Sequence, residues 1–280
     1  MSFKNQIPEK IKLSVTLAST VSPTSPVVLG GDFHFNIQKA SALGYDGIEL
    51  HWSDPKLIDL RNLSEACIAN DIVISAFATG RAYVQDGLSL ISDDEAIRRL
   101  ALDRLYSFVD AAAAFKSTVI IGCIRGNLPL GKDSEPYFDM LAKSTNAAAK
   151  YGSDKGVPIV FEAINRYENN YLNNASETVK FIKDYGLTNT GILLDTFHMN
   201  IEDPDLENAI IQCKDLLGYV HFADSNRLFT GAGHIDFAKI AIALDKIEYN
   251  GFISAECLPL PDSDTAMSGW IKGVKAAFKV

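Results

Sequence analysis

Pro158-Ile-Val-Phe-Glu162, Gly191-Ile-Leu-Leu-Asp195, Gly218-Tyr-Val-His221 and Phe252-Ile-Ser-Ala-Glu256 are four short apolar runs, each closed by an ionisable side chain. Burying an unpaired charge costs on the order of several kcal/mol, so an apolar strand does not end on one without a partner. Four such endings in succession imply that the groups converge. A divalent cation is the simplest object that neutralises three carboxylates beside one imidazole.

Outward from these runs, β-rich segments recur along the chain: Lys12–Ala18, Gly47–Leu50, Ile72–Thr79, Thr118–Ile124, Pro158–Ile164, Gly191–Asp195, Gly218–Asp224 and Gly251–Leu258. Several are continuously apolar, as strands of a parallel sheet covered on both faces should be. Helical periodicity fills the intervals. The clearest case, from about Asp94 to Phe115, gathers Ile97, Leu100, Ala101, Leu105, Phe108, Val109 and Ala112 on one face, with Ser92 and Glu95 in capping-box spacing. Asn174 with Glu177 marks another helix start, and a last helix is expected around Asp264–Phe278. Eight βα repeats over this length predict a (β/α)₈ TIM barrel forming a single domain over residues 1–280. The competing doubly wound sheet would want G-x-G-x-x-G after the first strand, whereas Gly30 and Gly31 precede Asp32 in an expected loop.

The bulk composition narrows the function. With 26 Lys plus Arg against 35 Asp plus Glu, the net charge is −9, and no basic cluster suggests a nucleic-acid partner. Cys67, Cys123, Cys213 and Cys257 are widely spaced and form no C-x-x-C pair. The first ten residues carry no export-signal core, and no apolar stretch approaches the roughly 20 residues a membrane span needs. The expectation is a soluble, cytoplasmic protein without a membrane partner.

In a barrel of this kind the chemistry lies at the C-terminal ends of the strands. Glu162, Asp195, His221 and Glu256 would then be neighbours around one side of the mouth, and oxygen-rich ligation with one imidazole suits Mn²⁺, Mg²⁺ or Co²⁺. Glu168, His198 and Arg227 follow these strands on loops over the same mouth, with Asp224, Ser225 and Asn226 beside the last.

The segments Phe161-Glu-Ala-Ile-Asn-Arg-Tyr-Glu168, Leu194-Asp-Thr-Phe-His-Met-Asn200, His221-Phe-Ala-Asp-Ser-Asn-Arg227 and Ser254-Ala-Glu-Cys-Leu-Pro259 resemble the ketose 3-epimerases of the xylose-isomerase-like barrel superfamily. Ala78-Thr-Gly-Arg-Ala-Tyr-Val-Gln-Asp-Gly-Leu-Ser-Leu90, Gly231-Ala-Gly-His234 and Cys257-Leu-Pro-Leu-Pro261 look more like one subgroup, the 5-keto-L-gluconate epimerases of inositol catabolism. The resemblance implies that Glu162, Asp195, His221 and Glu256 hold the metal, Mn²⁺ foremost, and that Glu162 and Glu256 double as an acid/base pair. It implies substrate contacts at Glu168, His198 and Arg227, a sugar or sugar-acid substrate, and compatibility with a homo-oligomer.

Arg125 closes strand four and Arg81 follows strand three. Each is suited to forked recognition of a substrate carboxylate, or else pairs with a nearby acid such as Asp86 or Glu168. A phosphosugar is disfavoured, because no glycine-rich phosphate cradle follows the last two strands. Aldose–ketose isomerisation and inosose dehydration share the same opening proton removal and stand as alternatives. A metal-dependent DNA-repair endonuclease would want more ligands than the five histidines His34, His51, His198, His221 and His234 supply. A non-catalytic sugar-binding barrel would have no use for two bases.

Overall fold

The computed structural model describes residues 11–278; the N-terminal decapeptide, where an export signal was sought, lies outside them. Eight parallel strands run in sequence order: β1 (Lys12–Ala18), β2 (Gly47–His51), β3 (Val73–Ala78), β4 (Thr118–Ile121), β5 (Ile159–Glu162), β6 (Thr190–Asp195), β7 (Leu217–Phe222) and β8 (Phe252–Ala255). The sheet closes where Lys12 through Val15 of β1 pair with Phe252 through Ala255 of β8. The fold is a closed eight-stranded TIM barrel, as the βα repeats predicted.

Continuous apolar runs conceal a two-residue alternation. Outward side chains such as Ile48, Leu50, Val119, Ile121, Phe161, Ile192, Leu194, Val220 and Ile253 join the main core beneath the helices. Inward ones form a smaller plug of Ala76, Ala78, Ile120, Val160, Leu193 and Tyr219. Continuing the inward register toward the strand ends places Glu49, Glu162, Asp195, His221 and Glu256 above that plug.

Ten α-helices occur among the described residues rather than eight: α1 (Phe33–Leu43), α2 (Leu60–Asn70), α3 (Gly80–Asp86), α4 (Glu95–Phe115), α5 (Glu135–Ser153), α6 (Ala175–Asp184), α7 (Thr196–Glu202), α8 (Leu206–Gln212), α9 (Phe237–Lys246) and α10 (Ser263–Ala277). The two that break strict alternation, α3 and α7, are single-turn to two-turn insertions directly after β3 and β6. They carry Arg81 and His198. None of the helices is long and apolar enough to cross a membrane.

Local expectations hold unevenly. Asn174 caps α6 by accepting from Glu177 N at 2.9 Å. The cap of α4 is Asp94, which accepts from Ala96 N at 2.8 Å, while Ser92 accepts from Asp94 N one step earlier. Leu100 is 53% exposed, because the buried stripe of α4 runs through Ala101, Leu105, Phe108 and Ala112 instead. Strand β4 stops at Ile121, and Cys123–Arg125 turns as a short 3₁₀ helix. Gly30 is not purely loop: Leu29–Gly30 pairs with Leu17 and Ala18, and Asp32 then caps α1.

Helix α10 packs on the loop after β7 with no room for a side chain at Gly273, where a Cβ would overlap the carbonyl of Thr230. Gly273→Ala should therefore destabilise the fold by about 1–3 kcal/mol, read as a lowered urea midpoint. An unchanged midpoint would show that the helix and loop can separate freely.

Candidate metal and substrate site

Glu162 and Asp195 are the last residues of β5 and β6, His221 is the penultimate residue of β7, and Glu256 directly follows β8. All are buried, and one donor atom of each lies within 4.8 Å of the others. His221 Nδ1 faces the three carboxylates, 3.2 Å from Glu256 Oε2 and 3.8 Å from both Glu162 Oε1 and Asp195 Oδ2. It is nevertheless a buried nitrogen without a hydrogen-bond partner. Gly122 keeps the approach to Glu162 open, since a Cβ there would stand 2.7 Å from Oε2.

Charge in this cluster is unbalanced. Arg227 donates to Asp195 Oδ2 and Glu256 Oε2, each at 2.6 Å, and its guanidinium lies 4.6 Å over the ring of Phe197. One guanidinium does not offset the carboxylates around it. Burial, and then the neighbouring Glu256, push the Glu162 carboxyl well above the usual range. Burial also opposes ionisation of Asp195, but Arg227 and His198 reverse this and hold it well below the usual range. Burial would lower His221, yet Glu49 and Glu256 together raise it well above an ordinary histidine. An unpartnered imidazole nitrogen amid three carboxylates is a donor set that fits a divalent cation.

Glu49 escaped the sequence analysis. It is fully buried in the middle of β2, where its Oε1 lies 2.8 Å from His51 Nε2 and its two oxygens lie 3.1 and 3.0 Å from His221 Nε2. The signal was present in Gly47-Ile-Glu-Leu-His51, which carries an acid inside an apolar run rather than at its end.

His198, at the start of α7, is held from behind. Asn165 Oδ1 accepts from Tyr167 N at 2.9 Å, so its amide nitrogen must face Glu168 Oε1 at 2.9 Å and His198 Nδ1 at 2.7 Å. His198 Nδ1 is thereby an acceptor and Nε2 carries the proton, 3.7 Å from Glu162 Oε1 and 3.8 Å from Asp195 Oδ2. Burial above all lowers its pKa to about 3, so the ring is a neutral N–H donor across the ordinary pH range. Burial likewise raises Glu168. Asp224 does not face the cavity; it accepts from the backbone nitrogens of Ser225, Gly231 and Ile235, folding the loop that carries Arg227.

A cavity of about 470 Å³ opens over the cluster, lined by Glu162, His198, His221, Arg227 and Glu256 at its acidic side and by Thr20, Ser22, Ser25, Gln85 and Arg81 elsewhere. Glu168 and His51 also line it. Its cysteine, Cys123, is pushed up to about 12 by burial and then Glu162, which leaves no thiolate nucleophile. Arg81 donates to the carbonyl of Thr20 at 2.6 Å and pairs with no acid among the described residues.

Arg125 is a correction. It is fully buried, lies outside the cavity lining, and donates to the carbonyls of Glu162, Tyr171 and Leu172 and to Asn169 Oδ1, with its guanidinium over Phe161 and Tyr171. Carboxylate-like acceptors are supplied by backbone carbonyls, so the residue staples the loop after β5 to the barrel. Arg125→Met should lower unfolding free energy by about 3 kcal/mol or more as several buried acceptors lose their donor. Denaturant titration checks this; normal stability with a raised KM for an anionic substrate would return Arg125 to substrate binding.

The chain belongs to the xylose isomerase-like TIM barrel family, whose model matches residues 37–274. Two curated relatives are similar across most of it. An L-ribulose 3-epimerase of Methylomonas sp. (strain DH-1) is 32% identical over 232 residues, covering 79% of this chain and 76% of that protein. A ketose 3-epimerase of Arthrobacter globiformis is 31% identical over 221 residues, covering 78% and 74%. Such relatives are isomerase-class enzymes. A crystal structure of His-tagged D-allulose 3-epimerase from Methylomonas sp. in complex with D-allulose superposes with a TM-score of 0.81 at 26% identity, over 97% of this chain and 98% of that one.

Proposed function

We propose that this protein is a divalent-metal-dependent epimerase that inverts the carbon next to the carbonyl of a ketose or keto-sugar acid. The observation that carries the proposal is the buried, unpartnered Nδ1 of His221 among three carboxylates, two of which, Glu162 and Glu256, line the cavity. A relationship to ketose 3-epimerases supports the same chemistry.

Inversion needs a proton removed from one face of a carbon and another delivered to the opposite face. A single base would mostly return the proton to the side it left. Glu162 and Glu256 approach from different strands, β5 and β8, and so supply a base for each face. Loss of the proton leaves an enediolate whose negative oxygen must be met by fixed donors. His198 offers a neutral Nε2–H into this space, and Arg227 offers a guanidinium already aimed at Glu256. A divalent cation held by Glu162, Asp195, His221 and Glu256 would supply Lewis-acid polarisation of the substrate oxygens; Mn²⁺ is our choice, with Mg²⁺ and Co²⁺ as the other hard candidates. Asn165 keeps the His198 proton on the cavity side, and Glu168 is placed to accept from a substrate hydroxyl.

Arg81 favours the keto-acid half of the substrate range. It lines the cavity without an acidic partner among the described residues, in a chain that is otherwise strongly acidic. A carboxylate on the substrate would complete its hydrogen bonding. The 5-keto-L-gluconate resemblance points in the same direction.

Incubation with Mn²⁺ in D₂O, followed by NMR, should show C–H exchange next to the carbonyl together with the epimer, and EDTA should abolish both. Glu256→Gln should lower kcat by about 10²- to 10⁴-fold; full turnover in that variant, or no exchange with D-allulose, D-tagatose, 5-keto-L-gluconate or D-tagaturonate, would exclude the mechanism. Arg81→Ala should raise KM for keto-acids by about tenfold or more and leave neutral ketoses little changed. Equal effects on both would remove Arg81 from carboxylate recognition.

A further inference from the structure

We propose that Glu49 is a positioning residue that makes His221 a metal donor. The inference rests on the metal-dependent reading above.

Glu49 is fully buried, and no Lys or Arg lies within ion-pair distance of it among the described residues; its partners are two imidazoles, His51 and His221. A carboxylate so desolvated is costly, and whatever offsets that cost acts through those two rings. An ionised carboxylate only accepts, and a neutral imidazole has one proton to give. With both Glu49 oxygens about its Nε2, the one proton that His221 keeps when a cation is held sits on Nε2, which leaves the Nδ1 lone pair toward Glu162, Asp195 and Glu256. Without Glu49 the proton could sit on Nδ1, where Glu256 Oε2 at 3.2 Å would accept it. The cluster would then close on itself as a hydrogen bond instead of receiving a cation.

Two further contacts hold this arrangement. His51 Nε2 lies 2.8 Å from Glu49 Oε1 and anchors that oxygen. Tyr219 packs edge-on to the His221 ring, with centroids 5.6 Å apart and planes at 90°. The Tyr219 hydroxyl is tied to Ser75 at 2.7 Å, and Ser75 to Ser14 at 2.7 Å, inside the barrel. Tyr219 therefore sets the plane of the ring and Glu49 sets its proton.

The test is calorimetric titration of Mn²⁺ into the EDTA-stripped full chain and its Glu49→Gln variant. The amide keeps the size of the side chain but offers one acceptor where two rings need one. The expected result is a single Mn²⁺ site whose Kd weakens about 10- to 100-fold in the variant, with circular dichroism and the metal-free thermal midpoint close to the parent. A Kd within about twofold of the parent in a folded variant overturns the inference alone, leaving the metal reading standing. A second Mn²⁺ equivalent that disappears with Glu49→Gln also overturns it, by making Glu49 a ligand. No Mn²⁺ binding by the parent overturns the metal reading and the inference together. Should the variant not fold, ¹⁵N-histidine NMR of the Mg²⁺-loaded parent decides: a proton on His221 Nε2 supports the assignment, and a proton on Nδ1 overturns it.

Discussion

The structure depends on one electrostatic constraint, the enclosure of like-charged carboxylates at the mouth of a low-dielectric barrel. Glu162, Asp195 and Glu256 at strand ends and Glu49 in the middle of β2 all project inward above an apolar plug, and each is nearly or fully removed from water. Charges in such a place must be paired, protonated or metallated. The surrounding groups divide that task. Arg227 bridges Asp195 and Glu256, His221 faces all three acids of its own cluster, and His221 and His51 together hold Glu49. The remaining negative charge leaves the cluster a donor set that could hold a cation, on which the proposed function rests.

The cavity inherits its polarity from this arrangement. Acidic groups and their imidazole and guanidinium partners occupy the barrel axis, while hydroxyl and amide side chains with Arg81 line other parts of the wall. Two insertions beyond the regular repeat supply key groups: α3 brings Arg81, and α7 brings His198 one turn after Asp195. Short helices at the C-terminal strand ends cost the barrel little, because that face carries function and the opposite face carries packing. Behind the cavity wall, Asn165, Asp224 and Arg125 make no approach to the central cluster, yet they hold the loops that carry Glu168 and Arg227 and the strand end that carries Glu162.

Much of this was legible along the chain because burial on both faces leaves a dense apolar signature. The start and end of β1 and the closing residues Glu162 and Asp195 emerge directly from composition. Errors arose where the local pattern was ambiguous. Leu100 fits an apolar stripe at helical spacing but sits one position off the line that packs against the barrel. Thr118–Ile124 reads as one apolar strand, although Gly122 ends it and turns the chain. Glu49 was overlooked because an acid in the middle of a run breaks the pattern instead of punctuating it. Arg125 suits either a substrate carboxylate or a neighbouring acid in sequence, and backbone carbonyls with the Asn169 side chain, which no residue pattern reveals, supply the acceptors instead.

The sequence by itself determined the barrel and which ionisable residues gather at its mouth: apolar runs separated by helical periods bury both sheet faces, and ionisable residues at successive strand ends then share one space. Tertiary structure decided which groups touch. The two-residue alternation is invisible when outward and inward residues are both apolar, so only the closed barrel shows that Glu49 lies against His221 across 172 positions of chain. Hydrogen-bond direction is decided there as well. The proton of His198 is placed by an Asn165 amide whose orientation is set by a neighbouring backbone nitrogen, and the free Nδ1 of His221 emerges only when every partner around it is in position.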